Sequence, residues 1–244
     1  MSPRIHLALL WHQHQPLYQD PSSSSQPARL LFPGVRLHAI RDYYSVAALV
    51  AEHPGVHLTI NLTPVLLHQI REYTERGATD RALDLTLRPS EELGPDEREE
   101  LLRTFFDAHW HHQIFPHPRY AELFDQRARA RPFTPQDLRD LQMWSNLAWF
   151  GPEFRTGDVE LATGHVVSVH ELVEQGAGYT SAQIRCMAEE QLEIMRAVIP
   201  IHDRLQRRGQ IEVSSTPFYH PILPLLAGTH RAPIARAGTP RPRP

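Results

Sequence analysis

The sequence contains no lysine: all 25 basic residues are arginine, which reflects nucleotide composition rather than a binding feature. Cysteine is nearly absent too, with Cys186 alone. A single cysteine makes no internal disulfide and no cysteine-based metal site, so a reducing cytoplasm is the expected compartment. No run approaches the roughly 18 consecutive apolar residues of a membrane span. The amino end has Arg4 and a short apolar run but no small-residue cleavage site, so it reads as a strand rather than a signal peptide. No acidic residue follows Glu212. Residues 229–244 carry four arginines and no acid, so the overall charge of −3 leaves −7 on the first 228 residues. A mildly acidic globule argues against nucleic acid as the main partner. Histidine is abundant at 16, which makes any single histidine weak evidence.

What is present starts with Ile5-His6-Leu7-Ala8-Leu9-Leu10-Trp11, an apolar run of strand length, followed by His12-Gln13-His14-Gln15-Pro16. Strand periodicity is two, so a buried strand here would project the imidazoles of His12 and His14 to one side. The carboxyl ends of strands in open α/β sheets and barrels are where ligands bind. The pair reads as a metal half-site, a clamp for sugar hydroxyls, or two satisfied polar residues at a strand end.

The length, 244 residues, allows one large domain or two small ones. After a loop over 17–35 containing Ser22-Ser23-Ser24-Ser25, Arg36 to His53 has helical spacing and ends at Pro54-Gly55. Val56 to Leu62 alternates and is β-branched, a second strand, and Thr63-Pro64 starts another helix running to Arg76-Gly77. Strand, helix, strand, helix with short joints predicts a parallel α/β layout. Residues 78–208 show helical patterns and no convincing strand. Helices are expected over Pro95–His109 and Arg119–Arg129, after the cap Thr134-Pro135-Gln136-Asp137, and after the capping-box pair Thr180 and Gln183. The last is expected to break at Pro200 and stop at Gly209. Gln210 to Ser215 is a third strand, emptying into Thr216-Pro217-Phe218-Tyr219-His220-Pro221. Residues 227–244 are Arg, Pro, Ala, Gly and Thr with almost no apolar content, and are expected to be disordered.

Glu212 sits inside the third strand, where an unpaired carboxylate is costly to bury. It is either a solvent-facing residue on an edge strand or a member of one pocket with His12 and His14. His109, His111, His112 and His117 have no regular ligand geometry, so no metal is expected there. Trp110 among them is an aromatic platform for a ring or a core tryptophan. Asn61, ending strand two, faces a pocket or caps the next helix. Cys186, Met187 and Met195 fit a helix core.

Several of these motifs together resemble glycoside hydrolase family 57: His12-Gln13-His14-Gln15-Pro16, Val35-Arg36-Leu37-His38-Ala39, Asn61-Leu62-Thr63-Pro64 and Gly209-Gln210-Ile211-Glu212-Val213. Trp110 with Pro118-Arg119-Tyr120, and Asp140-Leu141-Gln142-Met143-Trp144 with Asn146-Leu147-Ala148-Trp149-Phe150, resemble its amylase-type branch. The resemblance covers residues 4–226. It implies an α/β fold, the amino-terminal part of an incomplete seven-stranded (β/α) barrel over 1–226, with a large helical insertion at about 78–208.

It also implies retaining cleavage of α-glucans, of the α-amylase or 4-α-glucanotransferase type, with no cofactor and no metal. The substrate-binding residues it implies are His12, His14, Glu212, Trp110, Tyr219 and His220. The family's nucleophile, a glutamate, and its acid/base, an aspartate, belong to motifs that this sequence lacks. The stretch after Leu226 departs from the family, as a frameshift or truncated gene would make it. Gly34 stands where relatives often carry an aromatic. The expected partner is an α-glucan, with no nucleic acid and no membrane, and with self-association through the open edge of the third strand. Two other readings stand beside this one: a metal-dependent hydrolase using His12 and His14, and a non-catalytic glucan-binding fragment.

Overall fold

Proline and glycine set many of the element boundaries. The computed structural model describes residue 5 and residues 7–19, 27–228, 231–238 and 240. The serine run Ser22–Ser25 lies outside the described residues, as do parts of the arginine-rich segment. The strands are β1 (Leu10–Gln13), β2 (Arg29–Leu30), β3 (Leu58–Leu62), β4 (Thr79–Asp80), β5 (Val159–Glu160), β6 (Val166–Val167) and β7 (Ile211–Ser214). The helices are α1 (Gly34–His38), α2 (Tyr44–Glu52), α3 (Pro64–Arg76), α4 (Arg81–Leu87), α5 (Pro95–Thr104), α6 (Pro118–Ala128), α7 (Pro135–Leu147), α8 (Pro152–Thr156), α9 (His170–Gln175), α10 (Ser181–Arg207), α11 (Leu223–Ala227) and α12 (Ala232–Ala235).

The expected α/β layout with a parallel sheet is present. β1, β3 and β7 form a three-stranded sheet in the order β1-β3-β7, both pairings parallel. β3 is central, and α3 follows it with Pro64 in its first turn and Gly77 at φ 71° past its last. That left-handed exit is one glycine adopts without a Cβ penalty. The register aligns His12 with Asn61 and Asn61 with Ser214, and one row earlier Leu10 with Thr59 and Thr59 with Glu212. Those side chains share one face of the sheet by the two-residue period. The opposite face carries the buried Ile60, Leu62 and Ile211 into the helical core.

The first strand differs from its expectation. Pairing covers only Leu10–Gln13, and the apolar residues before and within it are open: Leu7, Leu9, Leu10 and Trp11 are all exposed. β1 is an edge strand, and one sheet face is uncovered, so apolar character did not mean burial here.

α10 is the organising helix, packing against α2, α3, α4, α7 and β7. Its start follows the capping box: Thr180 Oγ1 accepts from the Gln183 amide at 3.2 Å, and the Thr180 amide donates to Gln183 Oε1 at 2.9 Å. It does not break at Pro200 but runs through it. Proline removes one backbone donor, and the buried Ile194, Met195, Val198, Ile201 and Leu205 on either side hold the helix against the core across that gap. On the same helix Met187 and Met195 are buried as expected, whereas Cys186 is exposed because it falls on the outer face.

The expected helix over Arg36–His53 begins at Gly34 and contains a π-helical turn, Ala39–Tyr43, between α1 and α2. The insertion holds short strands that its helical pattern hid: β4 pairs in parallel with β2, and β5 with β6 forms an antiparallel pair. Two-residue strands leave no periodicity to detect. In the arginine-rich segment expected to be disordered, Ala232–Ala235 is helical.

Beneath the sheet's first loop lies a buried polar knot. The Arg36 Nε donates to Asp80 Oδ2 at 2.9 Å, and its Nη1 donates to Asn146 Oδ1 at 2.8 Å and Gln191 Oε1 at 2.7 Å. Tyr73 OH adds a 2.8 Å bond to Asp80. Burial by itself would raise the Asp80 carboxyl, but the charge and hydrogen bonds of Arg36 hold it below the usual carboxylate range. Four helices (α1, α3, α7 and α10) and β4 thereby share one ion pair.

Candidate functional site

The row across the carboxyl ends of the strands builds the site. His12 Nδ1 is 2.8 Å from Asn61 Oδ1, and Asn61 Nδ2 donates to Ser214 Oγ at 3.0 Å. The amide nitrogen of Asn61 is thus committed to Ser214, so its oxygen accepts and His12 carries its proton on Nδ1. His14 Nδ1 is 3.1 Å from Thr63 Oγ1, and that hydroxyl donates to the Gln13 carbonyl at 3.4 Å. Thr63 therefore accepts from His14, which also carries its proton on Nδ1. Both imidazoles are left with Nε2 as a lone-pair acceptor having no partner among the described residues.

His220 completes the cluster from the loop after β7. Its ring centroid lies 4.7 Å from that of His12 and 4.9 Å from that of His14, which are 5.8 Å from each other. The loop reaches this position through a turn in which the His220 amide donates to the Pro217 carbonyl at 2.8 Å, and His220 takes φ 52°. A left-handed conformation at a non-glycine residue costs of order 1 kcal/mol and is held only where surroundings impose it. The same loop is tied to α3, the Val65 amide donating to the Phe218 carbonyl at 3.2 Å. Burial, with the like charges of His220 and His12 adding to it, lowers the His14 pKa, so this imidazole stays neutral near pH 7. Among the described residues no group of three or more His, Cys, Asp or Glu side chains is arranged to hold a metal ion.

Behind the histidines a second layer fixes the loop. Gln15 Nε2 donates to Tyr43 OH at 2.9 Å, Tyr18 OH donates to Gln15 Oε1 at 2.6 Å, and Tyr43 OH donates to the His14 carbonyl at 3.2 Å. Gln69 donates to the Pro16 carbonyl and accepts from the Tyr18 amide. At Gly34 a Cβ would stand 3.0 Å from Tyr18 Cε2 and 3.1 Å from Gln15 Oε1. Tyr18 occupies the space that a side chain at 34 would need, which accounts for a glycine there.

Of the six residues read as substrate-binding, the structure gathers His12, His14 and His220. Glu212 lies on the same face one row earlier, exposed, and Thr59 Oγ1 donates to it at the long distance of 3.5 Å. No contact joins it to the histidines; both halves of its sequence reading hold, edge strand and shared face. Tyr219 is 65 % exposed and stands edge-on to Phe218. Trp110 is not a core residue: it is 53 % exposed and packs on Phe124 of α6, outside the histidine contacts. Thr63 and Ser214 escaped the sequence reading. The period-two signal from Glu212 to Ser214 could have found the second, whereas nothing before the register marked Thr63.

The profile of glycosyl hydrolase family 57 matches residues 8–236. The chain belongs to that family. Family 57 membership makes it a glycosidase with a carbohydrate substrate, and the matched range contains the whole histidine site. Neither a curated protein nor a solved structure matches it. No helix among the described residues is long and apolar enough to cross a membrane.

Proposed function

We propose that this family 57 chain binds an α-glucan, in the manner of the amylase or 4-α-glucanotransferase branch, and that His12, His14 and His220 hold one glucosyl ring by its hydroxyls. The observation that supports this most is the pair of neutral imidazoles presenting Nε2 acceptors together at the carboxyl ends of parallel strands. Two fixed acceptors side by side suit the vicinal hydroxyl donors of a pyranose. Glu212, one row below, accepts a further hydroxyl, and Tyr219 and Trp110 offer aromatic surface to flanking sugars. The three-stranded sheet is taken as part of a (β/α) barrel, its uncovered face being the lumen side.

Retaining cleavage requires two carboxyl groups about 5–5.5 Å apart. Glu212 is the single acid on the strand face and no acid follows it, so the 244 residues hold sugar without supplying that pair. The test is isothermal titration of the chain with maltoheptaose and with cellohexaose, alongside a reducing-sugar assay. Binding of the α-linked chain alone, without release of reducing ends, is expected. Equal binding of both sugars, or turnover, would contradict the reading.

A further inference from the structure

A cleft of about 720 Å³ opens beside the histidine site, between the loop that carries Tyr18 and Phe32 and helices α1, α4, α5 and α7. That volume lies within the roughly 300–1,000 Å³ of small-molecule sites. It is continuous with the histidine site through one residue: Tyr18, which lines it, is hydrogen-bonded to Gln15, next to His14.

Its walls combine two kinds of surface. Tyr18, Phe32 and Trp149 supply aromatic rings, Phe32 being 59 % exposed and standing edge-on to Tyr18 with centroids 5.6 Å apart. Polar groups stand between them. His38 is fixed by Asp42 at 2.6 Å and edge-on to Trp149 at 5.4 Å. Arg103 and Asp107 line the cleft with no side-chain hydrogen bond or ion pair among the described residues. The other charges there are already matched: Arg36 by Asp80, and Arg81 by Glu100 at 2.6 Å. An anionic ligand would find those cations spent. A neutral ligand with apolar faces and a hydroxyl rim fits better, since aromatic rings cover the faces while Arg103, Asp107 and His38 bond the rim.

We propose that this cleft is a second run of saccharide subsites, in which further glucosyl units of the chain held at His12, His14 and His220 stack on Trp149 and Phe32. The inference rests on the α-glucan reading. Affinity should therefore rise with chain length, and the cleft should matter only for long chains. The test is titration of the full chain and of Trp149→Ala, Phe32→Ala and His14→Ala with maltotriose and maltoheptaose. Phe32 is exposed, so its variant is free of a folding penalty.

Each aromatic truncation is expected to weaken maltoheptaose by about three- to tenfold while leaving maltotriose within about twofold. His14→Ala should weaken both sugars. Unchanged maltoheptaose affinity in Trp149→Ala and Phe32→Ala, with both sugars weakened in His14→Ala, would overturn the cleft and leave the histidine site standing. Equal losses on both sugars in the aromatic variants would overturn the separate subsites. If the unmodified chain bound neither sugar, the α-glucan reading would fall, and the cleft with it.

Discussion

At the scale of single residues, protonation state decides function. His14 is useful as an acceptor only while neutral, and burial among other imidazoles keeps it so. Its resonance is expected to titrate below that of a free histidine in a two-dimensional NMR titration, and glucan binding should weaken as pH falls through that value. A normal or raised midpoint for His14 would contradict this. His117 makes a parallel case in the core. Burial, aided by Arg155, lowers its pKa to about 4, and it stacks on Trp144 with centroids 4.5 Å apart. The unfolded chain takes up that proton near pH 6.5 while the folded chain resists it to about 4. Stability is therefore full above pH 6.5 and falls as pH drops toward 4. In urea titrations, His117→Gln should remove roughly 2–3 kcal/mol of the loss between pH 7 and 4.5. A variant as acid-sensitive as the unmodified chain would count against the buried imidazole. Sequence reading found His12, His14 and His220 because each follows a strand-length run. It missed Thr63 and Ser214 because their partners are 49 and 153 residues away and only strand register brings them together.

At the scale of elements, local signals and tertiary context divide the work. The boxes at Thr134 and Thr180 are written in four residues and form as read. The break expected at Pro200 was equally local, and packing on both sides overrode it. The Arg36–Asp80 pair could not be read locally, since it spans 44 residues and six partners. Its removal tests how far the insertion depends on it. Asp80→Asn strands a buried guanidinium, and a loss of about 3–5 kcal/mol is expected by urea denaturation. A loss under about 1 kcal/mol would show the knot to be dispensable.

At the scale of the whole molecule, the α/β class was legible from alternating strand and helix patterns, while exposure was not. Apolar runs say that a surface should be covered, not that it is covered within the described residues. The sheet leaves β1 and β7 as edges and one face open, with Leu10 68 % and Ile222 66 % exposed. Open edges and apolar surface drive association. Sedimentation velocity on the chain is expected to show concentration-dependent self-association, and a monomer at all concentrations would contradict that.

The claim on which the functional account rests is that two neutral imidazoles hold the sugar. The most direct measurement is isothermal titration with maltoheptaose of the chain and of a His12→Ala/His14→Ala double variant shown by circular dichroism to be folded. Loss of two hydroxyl contacts, each worth about 0.5–1.5 kcal/mol, predicts an affinity roughly 5- to 150-fold weaker. A folded double variant that binds maltoheptaose as tightly as the unmodified chain would contradict the account.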